Sequence, residues 1–174
     1  MKLLICSLLV SGSLAFGSAS APENDSPMYD IRLRAAEISR TGKVTVQLIN
    51  TSSKSIKVWK DSNSWGAARW RVLLARRGQV ETFFQNPNED FTINYPAFLQ
   101  IAGGAHIDQK LDLNGGNWCG LGHCGRYDER GFGGQKIALE PGDLIVIVYD
   151  VPFFPESLSK GVWYGVAATS ATVQ

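Results

Sequence analysis

The segment from Gly115 to Gly134 carries most of the side chains that could do chemistry. It holds eight glycines in twenty residues, together with Cys119, His123 and Cys124. Loops this long without regular structure are uncommon in compact domains and are often functional. We therefore expect a long glycine-rich loop here, held in shape by a local constraint.

Cys119 and Cys124 are the natural constraint, because a bond between them closes a six-residue ring. On the chain-entropy model such a small ring contributes about 2 kcal/mol, so it acts on local shape more than on global stability. We predict this disulfide. The alternative is a zinc site that adds His123 and either Asp128 or His106, although this spacing is not a recognised zinc pattern.

Catalysis has little support in the sequence. His106 and His123 are the only histidines, and neither a G-x-S-x-G elbow nor an H-E-x-x-H motif is present. The adjacent carboxylates of Asp128 and Glu129 do not establish the separation that glycoside hydrolysis needs. We predict a protein that is not an enzyme, with a hydrolase using His123 or the Asp128–Glu129 pair as the alternative.

Oxygen-bearing side chains at Asp112, Asn114 and Asn117 could bind calcium, but the acidic EF-hand spacing is missing. Asp108 and Lys110 alternate with less polar residues in the same segment as Asp112, which places all three on one strand face exposed to solvent. We predict no metal site and no cofactor.

Short alternating segments separated by turn residues dominate the chain and predict an all-β fold. Gly78 in the short Arg76–Gln79 connection predicts a hairpin, and Gly103-Gly104 predicts a second one. Pro141-Gly142 predicts a tight turn. The apolar run from Leu144 to Tyr149 predicts a central strand covered on both faces.

About nine strands over about 150 residues fit two packed antiparallel sheets. The strand end Asn50-Thr51-Ser52-Ser53 and the Pro141-Gly142 turn resemble those of bacterial exported immunoglobulin-like sandwiches, including the BsuPI-type proteinase-inhibitor group. The resemblance implies an immunoglobulin-like fold and supplies no active residues.

The first 21 residues have the layout of a secretory signal peptide. Lys2 precedes an apolar run, and the small residues 17–21 follow it. We expect cleavage within 19–21, a single β-sandwich domain over residues 22–174, and export to the periplasm or the extracellular space, where disulfides persist.

Net charge limits the classes of partner. Lys2 is the leader's only charged residue, so 16 Lys and Arg face 16 Asp and Glu in the remainder. This neutrality disfavours nucleic acid, and no later apolar run could span a membrane.

Residues 22–77 hold 11 basic and 5 acidic side chains, and residues 78–174 hold the reverse. Either the two halves neutralise each other across neighbouring strands, or they form a bipolar surface.

These observations predict a non-catalytic domain that recognises a macromolecule through its loops, with a protein partner preferred to a glycan. The predicted binding residues are Trp65, Trp118, His123, Arg126 and Tyr127. Aromatic side chains at one end of a sandwich could anchor a protein or stack on a sugar. The alternatives are a carbohydrate-binding module and a structural envelope protein that self-associates through strand edges.

Overall fold

The computed structural model describes residues 30–61, 63, 65–86, 95–120 and 134–174. Within them the chain forms ten strands and one short helix: β1 (Ile31–Ile38), β2 (Lys43–Asn50), β3 (Ile56–Trp59), β4 (Trp70–Arg76), β5 (Gln79–Gln85), β6 (Phe98–Ile101), β7 (His106–Asp112), β8 (Trp118–Gly120), β9 (Leu144–Val151), α1 (Pro155–Lys160) and β10 (Gly165–Thr172).

The strands form a sandwich around one apolar core. A three-stranded sheet has the order β1-β2-β7, a five-stranded sheet has the order β10-β9-β4-β5-β8, and β3 pairs with β6. Every named pair is antiparallel. Inward side chains of both larger sheets belong to a single buried cluster. The predicted all-β antiparallel sandwich is confirmed, whereas its immunoglobulin-like character stays a prediction.

A buried asparagine holds the bend between β2 and β3. β2 continues into β3, and the two strands pair with β7 and β6, respectively. The antiparallel register shifts by two residues between the β2–β7 pair and the β3–β6 pair. The Asn50 side chain donates to the carbonyl oxygens of Lys54 (2.7 Å) and Ile101 (3.0 Å) and accepts from the Ser52 amide (2.9 Å). It thus satisfies backbone groups that the bend takes out of the ladder.

The predicted hairpin at Gly103-Gly104 is wrong. β6 pairs with β3 and β7 pairs with β2, so the two segments follow each other alongside β3 and β2. Gly103 is needed because a β-carbon there would lie 2.4 Å from the carbonyl oxygen of Ser53. The glycine marks a close approach of two backbones rather than a turn between paired strands.

Both other predicted turns are confirmed. Arg77 and Gly78 join β4 to β5 with positive φ angles of 50° and 78°, the signature of a type I′ hairpin turn. At the proline-glycine turn, Gly142 has φ 91° and the Asp143 amide donates to the Glu140 carbonyl over 3.1 Å.

β9 is central, as predicted, but only one of its faces is fully buried. Ile145 and Ile147 are completely buried, whereas Val146 is half-buried and Leu144 is 42% exposed. The apolar run from Leu144 to Val148 therefore leaves an apolar row on the outside of the five-stranded sheet.

Candidate functional site

Three connections meet at one end of the sandwich, and we call this surface the loop end. They link β3 to β4 (residues 60–69), β5 to β6 (described at residues 86 and 95–97) and β9 to β10 (residues 152–164). The strand register brings them together, since Trp59 pairs with Phe98 and Trp70 pairs with Tyr149.

Asn63 fastens the first connection to the second. Its side chain is 1% exposed and donates from Nδ2 to the Ala97 carbonyl over 2.8 Å. Its Oδ1 accepts from the amides of Trp65 (3.1 Å) and Gly66 (3.0 Å). An asparagine that bonds to the backbone two and three residues ahead fixes a turn, so this connection has a defined shape.

Arg69 fastens the first connection to the third. Its Nε donates to the Trp65 carbonyl over 2.7 Å, and its guanidinium lies 5.1 Å from the ring centre of Phe154. Burial lowers the pKa of Arg69, while Tyr149 and Asp150 act in the opposite direction. The cation–π contact and the hydrogen bond together hold the β9–β10 connection against the β3–β4 connection.

The third connection contains helix α1, which the sequence analysis did not predict. Pro155 stands in its first turn, and Gly161 ends it in the left-handed conformation with φ 62°. The Trp59 indole nitrogen donates to the Ser157 hydroxyl over 3.4 Å, which attaches the helix to β3. Leu158 points outward and is 70% exposed.

The predicted binding tryptophans mainly support the fold. Trp65 lies at the loop end, but it is half-buried and stacks on Trp59 with ring centres 5.8 Å apart. Trp118 is 2% exposed, and its indole nitrogen donates to the Asp112 carbonyl over 2.9 Å. The predicted site residues His123, Arg126 and Tyr127 lie outside the described residues.

All five tryptophans lie within the described residues, and none presents an open platform. Trp59, Trp70 and Trp163 are at most 2% exposed. The Tyr149 ring lies 4.7 Å from that of Trp70 and 5.9 Å from that of Trp163, and burial raises the Tyr149 pKa. These aromatic side chains therefore form core next to the loop end.

Cys119 is fully buried in β8 and is not a free thiol. Cys124 lies outside the described residues, so the Cys119–Cys124 pairing stays a prediction. Within the described part of the chain, no cluster of three or more His, Cys, Asp or Glu side chains could hold a metal ion. His123 and Asp128 of the zinc alternative also lie outside that part, and so does Glu129 of the hydrolase alternative.

Six large apolar side chains are exposed among the residues that the structure describes, and they fall into two groups. Tyr95 (75%), Phe153 (55%) and Leu158 (70%) belong to the loop end. The others project from the outside of the five-stranded sheet: Val80 (64%), Leu144 (42%) and Val166 (61%). The sequence offered a signal for the first group, because Pro152-Phe153-Phe154-Pro155 is strongly apolar for a loop.

The outward sides of the two larger sheets differ in chemistry. We call the outward residues in the regular register of β1, β2 and β7 the polar face: Arg32, Arg34, Glu37, Lys43, Thr45, Gln47, Ile49, His106, Asp108, Lys110 and Asp112. We call those of β10, β9, β4 and β5 the apolar face: Val166, Ala168, Ser170, Thr172, Leu144, Val146, Val148, Asp150, Arg71, Leu73, Ala75, Val80, Thr82 and Phe84. The predicted exposure of Asp108, Lys110 and Asp112 is confirmed.

The described arginine ion pairs join the basic and acidic halves of the chain. Arg71 pairs with Asp150, and Arg76 pairs with Asp143 and Glu140. The Arg76–Asp143 contact uses both carboxylate oxygens, at 2.8 and 2.5 Å. These pairs support the interpretation that the halves neutralise each other across neighbouring strands.

No protein-family model, curated protein or solved structure matches this chain. The BsuPI-type resemblance is therefore neither supported nor overturned. No helix within the described residues is long and apolar enough to cross a membrane.

Proposed function

We propose that the protein is a non-catalytic recognition domain that binds a protein partner through its loop end. One observation carries this proposal: three connections are fastened to one another and present Tyr95, Phe153 and Leu158 to solvent. Exposed aromatic side chains on a preorganised surface are common anchors of protein interfaces, and an exposed leucine adds apolar contact area.

The shape of the loop end favours a protein over a glycan. Sugar-binding platforms use open aromatic faces, and the described tryptophans are buried or half-buried. Phe153 packs edge-on against Tyr164 with ring centres 5.2 Å apart, and Leu158 protrudes from a short helix. Protruding side chains of this kind fit into a partner's pocket rather than stack under a sugar ring.

We further propose the predicted export and the Cys119–Cys124 bond. A compact, neutral sandwich with a signal-like leader fits an exported domain, and the buried state of Cys119 fits a bonded cysteine. Intact-mass analysis of the exported protein tests both. We expect an N-terminus at residues 20–22 and no alkylation before reduction. Retention of Met1, or two thiols that react without reduction, would contradict these proposals.

The binding proposal is tested by replacing Leu158 with a photo-crosslinking residue in the organism that produces the protein. We expect one cross-linked protein from the envelope or medium, and purified partner should bind with a measurable Kd. The double variant Phe153→Ser/Leu158→Lys should weaken this Kd at least tenfold at unchanged Tm. The matched control is Leu144→Glu/Val166→Glu, which alters the apolar face and should leave the Kd unchanged.

Two outcomes would overturn the binding proposal. One is a partner that binds the Phe153→Ser/Leu158→Lys variant as tightly as it binds the unmodified protein. The other is specific retention on a glycan array that is lost in the same variant, which would assign the loop end to carbohydrate instead.

A further inference from the structure

The apolar face is a contiguous patch rather than a set of scattered side chains. In the strand register Val146 lies between Ser170 and Leu73, and Leu144 lies between Thr172 and Ala75. Aliphatic side chains thus neighbour one another across β9 and β4, while hydroxyl-bearing side chains flank them on β10. A patch with this composition is a typical interaction site.

The charges at the two ends of the apolar face are neutralised within the chain. Arg71 pairs with Asp150 where β4 and β9 approach the loop end. At the opposite end, Asp143 is 3% exposed and receives both hydrogen bonds from Arg76. A neutral surface can approach an identical surface without like-charge repulsion, which would otherwise disfavour self-association.

The geometry of the face also suits a copy of itself. It consists of pleated antiparallel strands, and two such layers pack face to face about 10 Å apart. The two described clefts lie on other surfaces, one beside Lys43 and Asp112 with a volume of about 440 Å³ and one beside Leu158 with a volume of about 160 Å³. A pleated antiparallel layer can pack on an identical pleated layer.

From these observations we infer that the apolar face binds the apolar face of a second copy of this chain, giving a two-fold symmetric dimer. Isologous contacts of this kind are the commonest route to a closed oligomer. The inference uses a surface distinct from the loop end and does not depend on the proposed function.

The size of the patch sets the strength of the dimer. The fourteen outward residues of the apolar face, about 6.8 Å apart along strands that lie about 4.8 Å apart, cover about 460 Å² on each copy. Two copies would bury about 900 Å², which is below the roughly 1,200 Å² of a stable interface. We therefore expect a weak, reversible dimer that is dissociated at low micromolar concentration and forms at several hundred micromolar.

Sedimentation equilibrium of the unmodified exported protein from 2 to 500 µM tests the inference. The weight-average mass should rise from that of a monomer towards that of a dimer and no further. The double variant Leu144→Glu/Val166→Glu should weaken the dimer at least tenfold, because it places carboxylates in the patch. Both side chains are already exposed, so the variant should fold, which an unchanged far-UV spectrum and Tm would verify.

Two control variants make the result decisive. Thr45→Glu adds a carboxylate to the polar face, and Phe153→Ser/Leu158→Lys alters the loop end; neither should change the dimer constant. A monomer at 500 µM overturns the inference. So does an equal dimer constant in the apolar-face variant, or association that continues beyond two copies, which would indicate pairing through strand edges.

Discussion

The two outer faces of the sandwich enclose one core and yet have opposite chemistry. On the polar face, Gln47 accepts from Arg34 and donates to Asp108 over 3.1 Å, so its side chains bond to each other at the surface. On the apolar face, the corresponding central positions are Val146 and Leu73. Water can hydrogen-bond to the side chains of the polar face. The apolar face keeps apolar area exposed to water, and only contact with another apolar surface would bury that area.

This difference shows that the packing of a strand's inward side chains does not determine which side chains it carries on its outward side. Val46 and Ile147 are both completely buried on the inside of their sheets. Their outward neighbours are Gln47 on β2 and Val146 on β9, although both strands are central in their sheets. The fold tolerates either kind of outer residue, so the apolar outer side of the five-stranded sheet needs a separate explanation, which association supplies.

The largest effect on the free energy of unfolding is expected from a substitution on the buried side of β9, compared with one on its outward side. Ile147→Ala should lower the free energy of unfolding by about 2–5 kcal/mol, because it leaves a cavity in the core. Val146→Ala, one residue away on the apolar face, should cost less than half as much. Urea unfolding at 2 µM, where the dimer is dissociated, measures both. Equal losses would mean that the apolar face is covered within the monomer.

A smaller effect is expected where charge borders the apolar face. The hydrogen bonds from Arg76, more than any other contact, lower the pKa of the nearly buried Asp143. Asp143→Asn should therefore cost about 1.5–3 kcal/mol at pH 7, the usual range for a hydrogen bond to a charged group. The control Asp108→Asn removes a carboxylate from the polar face and should cost far less.

The pH dependence of this effect has a definite sign. Because the folded-state pKa of Asp143 lies below its unfolded value of about 3.9, the contribution is fully present above that pH. It is lost as the pH falls through the folded-state pKa. The difference in unfolding free energy between the unmodified protein and Asp143→Asn should therefore shrink below about pH 4. A difference that stays constant from pH 7 to pH 3 would contradict the assignment.

Local sequence patterns predicted the strands well where only one face is apolar. In β1, buried Ile31 and Leu33 alternate with exposed Arg32 and Arg34, and periodicity reports that contrast directly. From Leu144 to Val148 both faces of β9 are apolar, so periodicity cannot distinguish an exposed apolar row from a buried one. The prediction that both faces of β9 are covered was wrong for that reason. The side of β9 that is not fully covered belongs to the apolar face, through which we infer the dimer.

The candidate site was less predictable, because long-range pairing decides which loop residues are buried. Trp118 stands in a glycine-rich segment, but β8 pairs with β5 and places its indole in the core. Gly103 correctly indicated an unusual backbone position, but it wrongly suggested that the strands on either side of it pair with each other. Asn63 shapes the loop end through hydrogen bonds to Ala97, Trp65 and Gly66, and the contact with Ala97 depends on a segment distant in the sequence.

The smallest effect is expected at the centre of the polar face. Gln47→Ala removes the acceptor of Arg34 and the donor to Asp108, and all three groups retain access to water. Surface substitutions of this kind usually change stability by less than about 0.5 kcal/mol. The dimer constant should also stay unchanged, since the polar face takes no part in the contact. A loss above about 1 kcal/mol in urea unfolding would show that the polar face contributes to stability through its own network. The two faces would then differ in the hydrogen bonds that their side chains form within the chain, and a difference in solvation by water would no longer explain the contrast.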